Sequence, residues 1–282
     1  MDKTSVFNSS SELRDVLNAE RQLGKSIGFV PTMGALHQGH LALVDRALNE
    51  CDCVVVSIFV NPTQFNNPTD LEKYPRMLDE DISLLNSVGQ VLVFAPEYSE
   101  VYPEGEQFMG IDLNGLDEVL EGKFRPGHFQ GVVHVVRNLF RIVQPDKAYF
   151  GLKDFQQVAI IKHMVRTLNL PVEIIECATT RDDNGLALSS RNMRLSEQEK
   201  EEALIIPKTL YIARDAVSGH TPDQARQIAL DHFSSGALEL EYLEIVDGET
   251  LKPLLHEWSS NAVCCIAAYC GPVRLIDNLR LV

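Results

Sequence analysis

A parallel α/β sheet followed by a smaller C-terminal α+β unit is the architecture predicted by this 282-residue sequence, and three observations predict it. Up to Cys177, apolar runs of strand length alternate with amphipathic segments, the pattern of βαβ units. Marked polar blocks follow the ends of several of those runs, where ligands collect in an open parallel sheet. Beyond Ser190 the alternation stops, and two capped helices precede three strand-like runs with no helix between them.

Taken in order, 26–30 and 53–60 read as buried strands joined by a helix that begins near His40 and carries Leu41, Val44 and Leu48 on its apolar face. A helix over 79–88, a strand over 91–95, a helix over 131–143 and a strand over 148–150 ending at Gly151 come next. A helix over 156–168 and a strand over 172–177 complete the alternation. Ser196 with Glu199 makes a capping box that opens a long helix, and Thr221-Pro222-Asp223-Gln224 opens another. The runs 238–246, 262–270 and 273–281 then predict an antiparallel sheet covered by those two helices. Asp183-Asn184-Gly185 is a polar turn suited to a hinge, so the division falls between 1–184 and 185–282.

Composition narrows the partners. Hydrophobic residues at 45% and charged residues at 23% describe an ordinary globular chain. The balance of 25 basic against 40 acidic side chains, a net charge of −15, opposes a sequence-independent grip on nucleic acid or an anionic membrane. Anionic ligands must therefore meet a local basic pocket. No apolar run reaches membrane-spanning length and Met1-Asp2-Lys3-Thr4-Ser5 has no signal-like character, so a cytoplasmic location is expected. Cysteines 51, 53, 177, 264, 265 and 270 form no Cys-x-x-Cys pair and read as buried thiols in a reducing compartment. A thioester route is not expected of them, because none stands in a clearly electropositive setting.

The richest stretch is Gly28-Phe29-Val30-Pro31-Thr32-Met33-Gly34-Ala35-Leu36-His37-Gln38-Gly39-His40, an apolar strand running into a glycine-studded turn with two histidines. Gly34 and Gly39 let the backbone approach an anion, and the following helix aims its free N–H groups and positive dipole end at phosphate. A positively charged imidazole there suits a pentavalent phosphorus. The competing metal reading needs His-Glu-x-x-His within a helix, whereas here Gln38 replaces any base and Gly39 interrupts the helix.

That stretch resembles the His-x-Gly-His signature of the nucleotidyltransferase superfamily that includes the class I aminoacyl-tRNA synthetases. Pro31-Thr32-Met33-Gly34 narrows the resemblance to the pantoate–β-alanine ligase family. Further blocks agree in the family's order: Phe59-Val60-Asn61-Pro62-Thr63-Gln64-Phe65, Tyr74-Pro75-Arg76, Arg125-Pro126-Gly127-His128-Phe129, Gly151-Leu152-Lys153-Asp154-Phe155-Gln156-Gln157, Leu188-Ser189-Ser190-Arg191-Asn192 and Arg274-Leu275-Ile276-Asp277-Asn278. The resemblance implies a Rossmann-like domain that binds ATP and pantoate, with a smaller lid domain. It also implies an ATP- and magnesium-dependent ligase that forms pantoyl adenylate, lets β-alanine attack it, and works as a homodimer.

Roles follow residue by residue from that resemblance. His37 and His40 contact phosphate and stabilise the adenylation transition state, while Lys153 supplies a point charge and Asp154 positions ribose, ATP or magnesium. Ser189, Ser190 and Arg191 resemble the synthetase Lys-Met-Ser-Lys-Ser loop that closes over the triphosphate. Met33, Gly34, Ala35, Leu36, Gln38, Gly39, Gly151, Leu152, Thr180 and Leu188 complete the expected ATP site. Gln64 and Gln157 are expected to hold pantoate through amides that both donate and accept, with Met33 and Phe65 against its methyl groups. Arg125 and His128 are further candidates for substrate or phosphate contact. Leu152 stands where the family usually has glutamate, and no protein ligand of magnesium is named. Asp79-Glu80-Asp81 reads as a helix N-terminus that favours negative charge. Two other functions remain in play: a related transferase that adenylylates phosphopantetheine, which gives Gln64 and Gln157 no task, and a non-catalytic ATP sensor.

Overall fold

Five of the six residues of strand β2 (Ile27–Thr32) are buried, as a central strand covered on both faces requires. In the computed structural model, which describes residues 4–65 and 71–282, β2 is flanked by β3 (Cys53–Ile58) and β5 (Lys147–Gly151). With β1 (Ser5–Phe7), β4 (Leu92–Phe94) and β6 (Glu173–Cys177) the sheet has the order β1-β4-β3-β2-β5-β6, every pair parallel. Met1, Asp2 and Lys3, at the start of the stretch read as lacking signal character, lie outside the described residues.

The chain builds outward from β2 to β3 and β4 on one side, then crosses to β5 and β6 on the other. Connections that leave β2 and β5 in opposite directions open a crevice at their carboxyl ends, and this crossover is what gathers distant sequence blocks. Successive residues of β2 serve opposite faces, as the period of a strand dictates. Phe29 joins a core with Leu13 and Leu17 of α1 (Ser10–Gln22), Val133 of α4 (His128–Val143) and Ile160 of α5 (Phe155–Thr167). Val30 joins Leu41 and Val44 of α2 (Gln38–Glu50) and Leu85 of α3 (Leu78–Val88) on the other side.

The second unit holds α6 (Glu197–Ala203), α7 (Ile205–Asp215) and α8 (Pro222–Phe233) against an antiparallel sheet of β7 (Glu239–Asp247), β8 (Ala262–Cys270) and β9 (Val273–Arg280). Eight of the nine residues of β8 are buried because both its faces are covered. Cys264, Ile266 and Ala268 pack with the unit's own helices, whereas Val263 and Cys265 pack into the core of the first sheet. One hydrophobic interior thus runs from one unit into the other.

The expected alternation is present, with ends displaced by a few residues, and there are four corrections. The helix expected to run on from Ser196 is two, α6 and α7, because Pro207 in the first turn of α7 has no N–H to offer the carbonyl of Ala203. The second unit accordingly has three helices. Strand β1 and helix α1 were not anticipated. Cys51 and Cys53 are half-buried rather than fully buried, while the other four thiols are buried and all six are free.

Helix α4 touches the 3-10 turn Pro62–Gln64 backbone to backbone, since a Cβ on Gly131 would stand 2.4 Å from the Thr63 carbonyl oxygen. Gly131→Ala is therefore expected to cost about 1–3 kcal/mol, the usual range for overpacking, measured by urea denaturation. An unchanged unfolding midpoint would show that the contact can relax freely.

Candidate active site

Beyond β2 the backbone turns sharply: Gly34 and Ala35 both have left-handed φ, +81° and +50°. Such a turn leaves buried amides needing acceptors, and they find them. Gly34 N–H donates to Thr32 Oγ1 at 3.2 Å, while Ala35 and Leu36 N–H donate to the two carboxylate oxygens of Asp81 at 3.0 and 2.7 Å. Asp81 lies in the first turn of α3 and is only 1% exposed. The acidic run read as a simple dipole partner thus sends its third member inward to shape the turn, and a Cβ on Gly34 would sit 2.9 Å from its Oδ2.

Helix α2 begins at Gln38, earlier than expected, with His37 as N-cap and Gly39 inside the first turn rather than interrupting the helix. Its cap is a reciprocal box of two imidazoles: Gly39 N–H donates to His37 Nδ1 at 3.1 Å, and His37 N–H donates to His40 Nδ1 at 3.3 Å. A Cβ on Gly39 would stand 2.8 Å from His37 Cε1, so only glycine lets the ring fold over this turn. Since both Nδ1 atoms accept, each neutral ring carries its proton on Nε2. Burial, reinforced by Lys153, lowers His37 to about 4; burial, reinforced by His37 and Lys153, lowers His40 to about 3. The positively charged imidazole expected from the sequence is therefore corrected: near neutral pH the pair offers two uncharged N–H donors.

Across the crevice, β5 ends at Gly151 and the 3-10 turn Leu152–Asp154 carries Lys153, whose Nζ lies 3.6 Å from Asp154 Oδ1. The cleft walls alone would raise the Asp154 carboxyl, but Lys153, Arg191 and Arg125 outweigh them and hold it below the usual carboxylate range. Leu152 packs its side chain against the first core. Ser189 caps the 3-10 turn Ser190–Arg194 by accepting from Arg191 N–H at 3.2 Å.

The amide side of the site hangs on Asn61, which is buried and caps the turn Pro62–Gln64. Asn61 Nδ2 donates to Gln64 Oε1 at 3.1 Å, Tyr102 OH donates to Asn61 Oδ1 at 2.8 Å, and Gln64 Nε2 lies 3.0 Å from Met33 Sδ. His128 Nδ1–H donates to the Gln64 carbonyl at 2.7 Å. Burial, helped by Arg125, lowers this histidine to about 4, so it too is neutral.

One cavity joins these parts. Met33, His37, Gly39 and His40 line it from the β2 side, Gly151, Lys153, Asp154 and Gln157 from the β5 side, and Thr180, Leu188, Ser189, Ser190 and Arg191 from the connection that follows β6. Gln64, Arg125 and His128 close the amide end. Gly34, Ala35, Leu36, Gln38 and Leu152 are outside this lining: the N–H groups of the first three are committed to Thr32 and Asp81, Gln38 is exposed on α2, and Leu152 faces the core. Phe65 lines the adjoining cavity instead, edge-to-face with Tyr74.

The model of the Pantoate-beta-alanine ligase family matches residues 5–280. The chain belongs to that family. Pantothenate synthetase of Bacteroides thetaiotaomicron is 48% identical over 278 residues and that of Phocaeicola vulgatus 51% over 281, each alignment covering 98% of both chains. Among solved structures, pantothenate synthetase from Thermus thermophilus matches with a TM-score of 0.92 and 42% identity over 99% of both chains. A Francisella tularensis pantoate–β-alanine ligase, complexed with beta-gamma ATP and β-alanine, matches with a TM-score of 0.80 and 37% identity over 98% of this chain and 97% of that one.

Several residues on which this ligase site depends escape sequence reasoning. Asn61 had a signal, an asparagine before Pro62 at a helical turn. Asp81 stood out only as part of an acidic run and Asn278 only within a block of the resemblance, and neither partner was legible, because the partners are 45 and 126 positions away. Glu121 is another: it is buried and pairs bidentately with Arg274 of β9 at 2.7 and 2.8 Å.

The histidines make stability depend on acid. Below the ordinary value of 6.5 the unfolded chain takes up protons that folded His37 and His40 refuse until about 4 and 3, so stability falls as pH drops through this window. Urea midpoints measured from pH 7 to 4.5 should decline less steeply in His40→Asn, whose amide oxygen can still accept from His37 N–H. An identical slope in the variant would show that His40 titrates normally.

Proposed function

We propose that this ligase condenses pantoate with β-alanine through a noncovalent pantoyl adenylate, with ATP as co-substrate. The carrying observation is the convergence on one cleft of two neutral imidazole donors, Lys153, Arg191 and the side-chain amides of Gln64 and Gln157. An amide cannot form by expelling oxide from a carboxylate, and ATP supplies a better leaving group. A pantoate carboxylate oxygen attacks the α-phosphorus as its bond to pyrophosphate breaks. The β-alanine amine then attacks the acyl carbon, AMP departs, and the nitrogen loses its proton.

The residues serve that sequence by placement and charge. His37 and His40 donate to phosphate oxygens at the end of α2, where the helix dipole adds to them. Lys153 faces them across the crevice, and Ser189, Ser190 and Arg191 cover the triphosphate. Gln64, set by Asn61 and His128, and Gln157 hold the pantoate hydroxyls and carboxylate without bringing in another charge. Met33 supplies the apolar wall beside Gln64.

Magnesium belongs to this reading as the companion of ATP. Such an ion is carried mainly by phosphate oxygens, with at most one or two protein carboxylates. Asp154 is the lining carboxylate that fits: it is exposed and only loosely paired with Lys153 at 3.6 Å, whereas Glu121 and Asp277 are buried and held by Arg274 and Arg181 at 2.7 and 2.6 Å. When bound, magnesium neutralises phosphate charge.

The same reading divides the chain near Asp183–Gly185, into a domain of residues 1–184 and a smaller one of 185–282. Val263 and Cys265 pack into the first core, which favours closure by the segment 184–194 over movement of the whole second unit. A cytoplasmic homodimer completes the proposal; no helix among the described residues is long and apolar enough to cross a membrane.

The deciding assay is pantoate-dependent ATP–pyrophosphate exchange, followed by AMP release on adding β-alanine. An ATP sensor gives neither signal, and an enzyme that adenylylates phosphopantetheine ignores pantoate. His40→Ala should slow exchange on the order of a hundredfold, the usual loss when one donor to developing charge is removed, and His37→Ala somewhat less. Exchange near the wild-type rate in both variants would sink the assignment.

Noncovalent chemistry makes a second prediction. Cys177, beside the cleft at the end of β6, is buried, and burial raises its thiol above the ordinary range despite Arg46 nearby. Cys177→Ser should retain most activity, with the intermediate recovered free after acid quench. Labelled pantoate that stays on the denatured chain until hydroxylamine releases it would overturn this route.

A further inference from the structure

Strand β9 belongs to the second sheet, yet two adjacent residues on it hold both charged segments of the cleft. Asn278 is buried, and its Nδ2 donates to the carbonyls of Leu152 and Lys153 at 2.8 and 2.9 Å. Asp277, also buried, accepts from Arg181 Nη1 and Nη2 at 2.6 and 2.9 Å. Arg181 donates in turn to the carbonyls of Gly185 and Asn278 at 3.0 and 3.2 Å, and it bridges Ala187 at the base of the hairpin that delivers Ser189 to Arg191. The spacing between the Lys153 turn and the Arg191 segment is thus set from a third element.

The Lys153 turn needs such a partner. It is three residues of 3-10 helix with no side-chain cap at Gly151, and the following helix has none at Asp154. Short 3-10 turns have poor hydrogen-bond geometry of their own. The two protons of the Asn278 amide are its side-chain support among the described residues.

We propose that Asn278 is a positioning residue for adenylation, holding the Leu152–Asp154 turn so that Lys153 meets the phosphates. This rests on the ligase reading above, in which Lys153 is the residue that touches ATP. It also makes the second sheet part of the phosphate site and not only its cover. A displacement of about 1 Å in a positioned group can cost on the order of a hundredfold in rate, so a loss of roughly ten- to a hundredfold is expected when these two bonds are removed.

The test is a double-mutant cycle on pantoate-dependent ATP–pyrophosphate exchange, using Asn278→Ala, Lys153→Ala and the combination. Acting through Lys153, Asn278→Ala should slow exchange at least about tenfold alone and less than about twofold in the Lys153→Ala background. Its KM for pantoate should be unchanged, because Gln64 hangs on Asn61 and His128, and Gln157 on a helix turn that Gln156 anchors to the Leu116 and Val119 carbonyls at 2.7 and 2.8 Å, rather than on β9; a general loosening of the fold would raise it. Full losses that multiply in the double variant would overturn the proposal, as would a wild-type rate in Asn278→Ala while Lys153→Ala is slow. A wild-type rate in Lys153→Ala itself would instead remove the reading underneath. Should Asn278→Ala fail to fold, Asn278→Ser, whose shorter hydroxyl reaches neither carbonyl, runs through the same cycle with the same deciding outcomes.

Discussion

The carboxyl end of a buried parallel strand presents backbone amides that water cannot reach, and at the end of β2 their satisfaction shapes the rest of the cleft. Asp81 takes two of them and two imidazoles take two more. Leaving any one unmade would cost about 1–3 kcal/mol, which is why a left-handed turn at Ala35 and a ring folded over Gly39 persist. The loop is not a free set of donors waiting for phosphate. The amides of Gly34, Ala35, Leu36, His37 and Gly39 are spent on its own shape, and the imidazoles turned to a ligand are held at fixed angles.

The second unit is held to this frame by both apolar and ionic means. Val263 and Cys265 enter the first core, and Glu121 meets Arg274 while Tyr242 OH donates to the same carboxylate at 2.8 Å. Burial would raise Glu121, yet Arg274 prevails and keeps it ionised. A buried ion pair of this kind adds little net stability over an apolar match, because desolvation offsets most of the attraction. It does penalise any arrangement in which one partner is left alone, which argues for a single docking geometry between the sheets.

Much of the fold was legible because strand burial is written locally. The apolar runs at 26–30, 53–60 and 172–177 read correctly as parallel strands, and the run of three strands after Phe233 read correctly as antiparallel. The break at Leu204 was legible in principle from Pro207, but the capping box at Ser196 dominated the reading. In the cleft, glycine placement and the histidine spacing were visible. The charge state of the histidines was not, because it depends on burial in the assembled cleft and on the positive charge of Lys153, far along the chain. Asp81 shows the same gap: three consecutive acids look alike in sequence, and only the packing of α3 against α2 turns one of them inward.

The tautomers fixed by the histidine box bear on which molecules the cleft can accept. With both Nδ1 atoms occupied, the pair shows only hydrogen-bond donors to whatever lies over it. A group rich in lone pairs, such as a phosphoryl or sulfonyl oxygen, finds matching polarity there, while an ammonium or a primary amide nitrogen faces donor against donor and leaves buried N–H groups unpaired. Inhibitor chemistry for this cleft is therefore constrained before shape is considered: the atoms placed over His37 and His40 should be acceptors without protons of their own.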